Sequence, residues 1–259
     1  MDFTVRGRIS PQADRWVGLL GIFALVVLWC ALTYSGLVKS VFLPTPSGIW
    51  QGLVDFQNKH WLFPAIGKSL WRVTRSLLLV IMVGVPIGVI MGTFAPADAF
   101  LRKIVNGAKS LPTTGIVGLI VLWFSVEERA KIVFLFLGTV FYMIILVKNA
   151  ILDVSEDYLR VALDLGANRW QVISKVLLKA ALPQIWDAIA VCNGIMWTYI
   201  VLAEFINSSE EQLGVGYLLF LGSRTGGSGK VYAMLLIIAT ISVLTDFMLR
   251  SVKKKFFYW

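Results

Sequence analysis

The chain has 259 residues, of which 58% are hydrophobic and only 15% are charged. A soluble domain is about 45–50% apolar and about 25% charged, so the composition excludes an ordinary soluble domain and predicts an integral membrane protein. The net charge of +9 would favour nucleic acid in a soluble protein, but in a membrane protein it indicates basic cytoplasmic loops that face anionic lipid. We therefore expect contact with membrane lipid and no nucleic-acid partner.

Six apolar stretches are close to or above the length of about 20 residues that a transmembrane helix needs. They cover residues 16–34, 64–94, 100–124, 130–152, 180–206 and 231–249. The sequence thus predicts an all-α integral membrane fold with one transmembrane domain at residues 16–252. The preceding segment, residues 1–15, and the basic, aromatic tail, residues 253–259, both carry Lys or Arg, which predicts that both termini lie in the cytoplasm.

Some charged residues lie inside the predicted spans. Lys68, Arg72 and Arg75 are spaced three and four residues apart near the start of the second span, so a helix brings them to one face. We expect that face to lie in the interface or against protein rather than against lipid. Asp187 and Asp246 lie near the cytoplasmic ends of the last two spans and are expected to pair with nearby Lys or Arg.

Two segments on the predicted outer side have turn or loop chemistry. Residues 42–56 contain two prolines followed by Ser47 as the predicted N-cap, which indicates a short helix in the outer interface. Its predicted apolar side consists of Ile49, Trp50, Leu53, Val54 and Phe56. Residues 207–230 contain six glycines, which predicts a flexible or tightly turning connection.

A charged, amphipathic segment, residues 157–179, interrupts the spans. Its first half predicts a short helix whose apolar side consists of Leu159, Ala162, Leu163 and Leu165. Gly166 is expected to end that helix in the left-handed conformation, and Asn168 to cap a second helix that leads to Pro183 at the start of the next span. The residues predict a helix–turn–helix hairpin at the membrane surface, which either binds a soluble partner or lies in the interface without one.

This hairpin resembles the cytoplasmic coupling loop of the permease subunits of bacterial ABC importers. The family pattern is Glu-Ala-Ala, three residues, Gly, nine residues, Ile, one residue and Leu-Pro. Gly166 matches the glycine and Ala162 matches the second alanine. Arg160 stands at the position of the Glu and Lys179 at that of the Pro, and a second Leu-Pro follows at residues 182–183, as in the nitrate, sulfonate and taurine branch of the family.

Shorter matches to the same branch occur along nearly the whole chain. They are FLPTPS at residues 42–47, SLWR at 69–72, GVPIG at 84–88, LAE at 202–204 and LGVGY at 213–217. Their order and spacing together imply a transmembrane permease subunit that forms the translocation path for a small solute.

The resemblance also implies the partners of the chain. Such permeases form dimers, here a homodimer, in the bacterial inner membrane. They bind two ATP-binding cassette ATPase subunits and receive substrate from a periplasmic or lipid-anchored binding protein. ATP and Mg belong to the ATPase, so we expect no cofactor, no metal and no enzymatic activity in this chain. The residues implied in ATPase docking are Leu159, Ala162, Leu163, Leu165, Gly166, Ala167, Arg169 and Trp170.

Polar residues within the spans are the candidates for the translocation path. The first set breaks the third span around Pro112 and consists of Lys109, Ser110, Thr113 and Thr114. Polar or non-helical chain at membrane depth must face protein or water, and a cation there favours an anionic substrate. The second set lies in the fifth span and consists of Asn193, Thr198 and Glu204. Polar residues also hold helices together, so a structural hydrogen bond is an equally valid role for Glu204.

Two other classes of protein remain open on the residues alone. A secondary transporter or channel would need coupling acids near the midplane of the membrane, whereas the acids of this chain lie near the ends of the spans. A membrane scaffold would use the hairpin to bind something other than an ATPase. Within the importer interpretation, the branch carries nitrate, bicarbonate, sulfonates and taurine, and also pyrimidine vitamin precursors.

Overall fold

The computed structural model describes residues 10–205, 213–225 and 227–257, and these residues contain helices and no strand. The predicted all-α fold is thus confirmed. The helices are α1 (Pro11–Tyr34), α2 (Pro46–Asn58), α3 (Leu62–Thr93), α4 (Ala95–Ser110), α5 (Val117–Phe124), α6 (Glu128–Leu152), α7 (Glu156–Asp164), α8 (Arg169–Gln171), α9 (Leu178–Phe205), α10 (Val215–Arg224) and α11 (Ser228–Phe256). A π-helical segment (Val172–Leu177) joins α8 to α9, and we call the continuous stretch Arg169–Phe205 the long helix.

Five helices of the described chain are long and apolar enough to cross a membrane, namely α1, α3, α6, the long helix and α11. They correspond to five of the six predicted spans. The predicted start of the fifth span at residue 180 is wrong, because the helix already begins at Arg169. Pro183 lies inside α9 and not at its start. Proline is tolerated inside a transmembrane helix when neighbouring groups satisfy the freed backbone carbonyl.

The helices α3 and α6 lie side by side and run in the same direction. Gly84, Gly88 and Gly92 are spaced four residues apart and so form one face of α3. Gly84 lies against Met143 of α6, whereas Gly92 lies against Ile151. Because glycines later in α3 contact residues later in α6, the two helices are parallel.

Two parallel transmembrane helices require the chain between them to cross the membrane in the opposite direction. That chain contains α4 with 16 residues and α5 with 8 residues. They rise about 24 Å and 12 Å, which together match a hydrocarbon layer of about 30 Å. The third predicted span is therefore present as two helices, and its prediction as one helix over residues 100–124 is wrong. Pro112 explains the break, because it disfavours helical backbone at Leu111, whose ψ is 131°.

The remaining contacts define two ends of the helix bundle. At one end, which we call the hairpin end, Lys253 of α11 pairs with Asp187 of α9 at 2.5 Å. At the other end, which we call the α10 end, Ser69 of α3 donates a hydrogen bond to Glu204 of α9 at 2.6 Å. The long helix therefore runs antiparallel to α3 and α6, and α11 runs antiparallel to the long helix.

The short helix α2 covers part of the α10 end. Its N-cap is Thr45, whose side chain accepts a hydrogen bond from the backbone N–H of Gly48, so the predicted N-cap at Ser47 is wrong. Pro46 at the first helical position explains the earlier start, since its fixed φ suits that position and its missing N–H costs nothing there. On the predicted apolar side, Ile49 and Phe56 are buried.

The helix α10 occupies ten residues of the segment predicted as a glycine-rich connection. That prediction is wrong for residues 215–224, because their apolar side chains pack against α9 and α11. Val215 and Leu218 are fully buried. Residues 207–212 and 226 of the predicted connection lie outside the described residues, as does residue 206 at the end of the predicted fifth span.

Replacing Gly88 with alanine is expected to destabilise the protein by about 1–3 kcal/mol, the usual cost of overpacking. A Cβ atom there would be 2.7 Å from the Cβ of Val147 and 2.8 Å from the carbonyl oxygen of Ile144, so α3 and α6 would have to separate. Gly67→Ala is the matched control in the same helix, because nothing lies within 4 Å of its Cβ position. Thermal unfolding in detergent should give a lower Tm for Gly88→Ala alone. Equal Tm values would contradict the close packing of α3 on α6.

Candidate functional site

The predicted hairpin is present as α7, a tight turn and the start of the long helix. Gly166 has a φ of +82°, in the left-handed region that glycine adopts without steric cost. Its N–H donates to the carbonyl of Leu163 at 2.9 Å, and the N–H of Ala167 donates to the carbonyl of Ala162 at 3.0 Å. These two bonds form the Schellman pattern that ends helices, which confirms the turn predicted at Gly166.

The second arm of the hairpin begins with a reciprocal cap. The backbone N–H of Gln171 donates to the side chain of Asn168 at 2.9 Å, and the backbone N–H of Asn168 donates to the side chain of Gln171 at the same distance. Such a capping box satisfies two backbone donors at a helix start. The predicted cap at Asn168 is confirmed, and the angle between α7 and the long helix is fixed from both sides of the turn.

The hairpin exposes an apolar surface that points away from the helix bundle. The side chains of Leu163, Leu165 and Trp170 are 52%, 83% and 75% exposed. Tyr158 and Val161 are also exposed, although they were not among the predicted docking residues. A spacing of three and four residues through positions 158, 161 and 165 could have indicated that they share one side of α7.

The predicted docking residues divide into two groups by exposure. Leu163, Leu165, Gly166, Arg169 and Trp170 are exposed, whereas Leu159, Ala162 and Ala167 are half-buried. Leu159 packs against the hydrophobic core. The first group is therefore exposed around the turn at Gly166, and we call these five residues the hairpin surface, whereas Leu159 of the second group holds α7 against the rest of the chain.

The hairpin surface lies at one end of the long helix. That helix has 37 residues and is roughly 55 Å long at 1.5 Å per residue. The π-helical segment lies where the hairpin joins α9, and its Val172 and Leu177 are buried. A displacement of the hairpin can therefore reach the α10 end through a single continuous element.

At the α10 end the long helix finishes in a buried ion cluster. Glu204 is fully buried and accepts hydrogen bonds from Ser69 Oγ at 2.6 Å, Arg72 Nη1 at 2.7 Å and the backbone N–H of Gly216 at 2.7 Å. Arg72 Nε donates to Glu128 Oε2 at 2.7 Å. The cluster therefore ties α3, α6, α9 and α10 together.

Glycine is required next to this cluster. A Cβ atom at Gly214 would overlap the carboxylate of Glu204, and one at Gly216 would lie 2.9 Å from the backbone of Val201.

Of the three cations predicted to share one face of α3, Arg72 faces the protein interior. Arg75 is exposed and lies over the ring of Trp71, 5.2 Å from its centroid.

The three path candidates of the fifth span are not brought together. Glu204 is enclosed in the ion cluster, which favours the structural interpretation of its role. Asn193 is buried and donates from Nδ2 to Thr245 Oγ1 at 2.9 Å, which links α9 to α11. Thr198 is exposed, and its hydroxyl donates to the carbonyl of Ile195 at 2.7 Å.

The path candidates of the third span lie together at the break between α4 and α5. A cavity of about 210 Å³ is lined by this break on one side and by α6 on the other. Lys109 and Thr113 line it from the break, and Phe141 and Tyr142 line it from α6. Ser110 and Thr114 are exposed beside it.

The acids near the hairpin end are paired as predicted. Asp187 pairs with Lys253 at 2.5 Å, and Asp246 pairs with Arg250 at 2.7 Å. Within the described parts of the chain, no group of three or more His, Cys, Asp or Glu side chains could hold a metal ion.

Comparisons with known proteins agree with this arrangement. A putative aliphatic sulfonates transport permease protein of Bacillus subtilis (strain 168) is 31% identical over 256 residues, which cover 98% of this chain and 92% of that protein. A taurine transport system permease protein of Escherichia coli (strain K12) is 26% identical over 259 residues, with coverages of 98% and 92%. An inward-facing crystal structure of a methionine ABC transporter has a TM-score of 0.68 at 20% identity, covering 77% of this chain and 97% of that one, which shows a shared fold.

A family match covers most of the chain. Residues 84–258 match the family described as "Binding-protein-dependent transport system inner membrane component". This region includes the glycines of the α3–α6 contact, the hairpin, the long helix and, from the ion cluster, Glu128, Glu204 and Gly216. The chain belongs to this family of inner membrane components, and it is the permease subunit of an ABC importer.

Proposed function

We propose that this chain forms the translocation path of its importer as a homodimer, that one ATPase binds each hairpin surface, and that the cargo is a small organic anion. The observation that carries the proposal is the apolar hairpin surface fixed to the end of the long helix. Exposed apolar patches mark interaction sites. Arg160, Arg169 and Lys175 lie among its apolar residues, and such charges keep the surface out of the hydrocarbon.

The distribution of basic residues supports a cytoplasmic position for the hairpin end. Basic residues collect in cytoplasmic segments, and the hairpin end carries Arg160, Arg169, Lys175, Lys179, Arg250, Lys253, Lys254 and Lys255. With α4 and α5 counted as one crossing, the chain crosses the membrane six times. Both termini then lie in the cytoplasm, and the α10 end faces the external binding protein.

In the proposed mechanism, ATP and Mg bind to the ATPase subunits, and this chain contributes neither a cofactor site nor a catalytic group. Closure of the two ATPases displaces the two hairpins. Each long helix carries the displacement to its ion cluster, where Glu204 passes it to α3, α6 and α10. The path thereby opens in turn toward the binding protein and toward the cytoplasm, which couples the nucleotide site of one chain to the transport path of another.

Two observations support an organic anion as cargo. The relatives named above are described as permeases for aliphatic sulfonates and for taurine. Lys109 also lies beside the cavity at the break, where a cation attracts an anion.

Affinity purification of the tagged chain from bacterial membranes in mild detergent tests the proposal. We expect an ATPase to co-purify in amounts equal to those of the permease, in a particle whose mass equals two copies of each. The separated permease should not hydrolyse ATP. A chain that purifies as a monomer, or that dimerises without an ATPase, would overturn the proposed assembly.

A further inference from the structure

The break between α4 and α5 lies at the middle depth of the membrane. A Cβ atom at Gly138, near the midpoint of α6, would be 3.1 Å from Cγ2 of Thr113 in the break. Leu111, Pro112 and Thr114 of the break are exposed on the chain. Because irregular backbone at this depth is tolerated only inside protein or beside water, the exposed side of the break faces either the second permease chain or a water-filled space in the assembled importer.

The polar groups that the break brings to the cavity have no partner in the described part of the chain. Lys109 is exposed and Thr113 is half-buried, and neither side chain makes a hydrogen bond or ion pair with the described residues. By contrast, Lys148 and Arg102 of the same region both pair with Asp98. A lysine at membrane depth is costly unless a counter-ion or water compensates its charge, so an anionic group in the cavity would be attracted to Lys109.

The rest of the cavity wall is apolar. Leu111 and Ile116 contribute from the break, and Leu137 and Phe141 contribute from α6. A wall with one cationic corner and aliphatic or aromatic sides is typical of pockets for small organic ligands. It suits a ligand that has a charged head and an apolar tail.

We propose that this cavity binds the transported substrate on its way through the permease, and that the substrate is a monoanion with a short aliphatic tail. Lys109 and Thr113 bind the anionic head, and Leu111, Leu137 and Phe141 contact the tail. Fully hydrophilic anions such as nitrate leave the apolar wall without a contact. The inference rests on the proposed function, because it identifies the ligand of the proposed path.

Binding of a series of probes to the purified importer in lipid nanodiscs tests this inference, with isothermal titration calorimetry as the measurement. The probes are ethane-, butane- and hexanesulfonate, with nitrate and butylamine for comparison. We expect affinity to rise about fourfold for each methylene that enters the apolar wall, and we expect nitrate and butylamine to bind at least tenfold more weakly than butanesulfonate. Equal affinities along the sulfonate series would overturn the amphiphilic site.

Matched variants identify the residues of the site. Lys109→Gln should weaken butanesulfonate binding at least tenfold, and Lys109→Arg should retain it. Lys103→Gln is the control, because it removes an exposed lysine from the same helix. Phe141→Ala should flatten the dependence on tail length without changing the weak binding of nitrate. If Lys109→Gln and Lys103→Gln bind alike, the site is refuted. Co-purification of the ATPase in that case would leave the proposed function intact, whereas its absence would remove both.

Discussion

Replacing Glu204 with alanine is expected to lower the free energy of unfolding by roughly 3–5 kcal/mol, the cost of removing one partner of a buried ion pair. The substitution takes away a fully buried carboxylate. Ser69 Oγ, the backbone N–H of Gly216 and one arm of the Arg72 guanidinium would all lose their acceptor. Buried donors without acceptors are costly, so α10 should detach from α3 and transport should be lost. Unfolding of the purified protein in detergent measures the effect.

An exposed ion pair provides the matched control for this prediction. Asp246→Ala also removes a carboxylate from a pair with arginine, but Asp246 and Arg250 are one helical turn apart on the partly exposed surface of α11. Exposed pairs contribute about 0–1 kcal/mol, so this variant should unfold close to the wild-type temperature. Similar losses of stability in the two variants would show that the ion cluster is not what holds the α10 end together.

A second substitution separates the loss of a partner from the loss of packing. Arg72→Met added to Glu204→Met removes both buried charges and retains apolar volume, which is often neutral relative to the intact pair. Glu128 would keep its contact with Lys131 and its partial exposure to solvent. We expect the double variant to be more stable than Glu204→Met alone, as a double-mutant cycle would show. A double variant no more stable than the single one would mean that Glu204 acts through its shape and not through its charge.

This cluster illustrates what local sequence patterns cannot reveal. The spacing of Lys68, Arg72 and Arg75 indicated a shared helix face but not which of them faces the protein. Arg72 meets Glu204 across 132 residues of chain, and no periodicity links positions that far apart. The charge of Glu204 within a span marked it as unusual, yet only the packing of α3, α9 and α10 shows that its hydrogen-bonding capacity is used within the chain.

The accuracy of the predicted spans follows the strength of the hydropathy pattern. Long apolar runs such as those of α3 and α6 were predicted to within two residues at each end. The α4–α5 segment was predicted as one helix because apolar content continues through Pro112, although the proline was identified as a break. α10 was missed because its apolar residues lie among glycines, and only contacts with α9 and α11 make that short segment helical. The four-residue spacing of Gly84, Gly88 and Gly92 was available in the sequence as an indication of close helix packing.

The hairpin was predicted more accurately than the path because its chemistry is local. A glycine in the left-handed region and an asparagine cap act within a few residues of chain, so Gly166 and Asn168 fix the turn by themselves. The path depends on which helices surround the break and on a second copy of the chain, and neither is encoded in a short motif. Lys109 and Thr113 were selected for their polarity, whereas Phe141 and Tyr142 could not be separated from ordinary apolar positions of α6.

Replacing Trp170 with aspartate is expected to abolish ATPase binding and transport while leaving membrane insertion intact. Trp170 is 75% exposed, so the substitution removes no buried contact within the permease. It does remove the largest side chain of the hairpin surface and places a charge where the partner must exclude water. Aromatic residues are enriched among those that dominate binding at protein interfaces. Truncating such a residue often costs about 2 kcal/mol or more, which is a loss of roughly thirtyfold or more in affinity. The measurement is the amount of ATPase that co-purifies with equal amounts of permease.

Trp50→Asp is the matched control, because Trp50 is 67% exposed but belongs to α2 at the opposite end of the bundle. The same change in chemistry there should leave ATPase recovery at the wild-type level.

Gly166→Pro tests the geometry of the turn separately, since proline fixes φ near −65° whereas the turn needs +82°. We expect Gly166→Pro to lose the ATPase although every exposed side chain of the hairpin surface is retained. Recovery of the ATPase by both Trp170→Asp and Gly166→Pro would refute docking at the hairpin, and loss in Trp50→Asp as well would show that the effect is not specific to that surface.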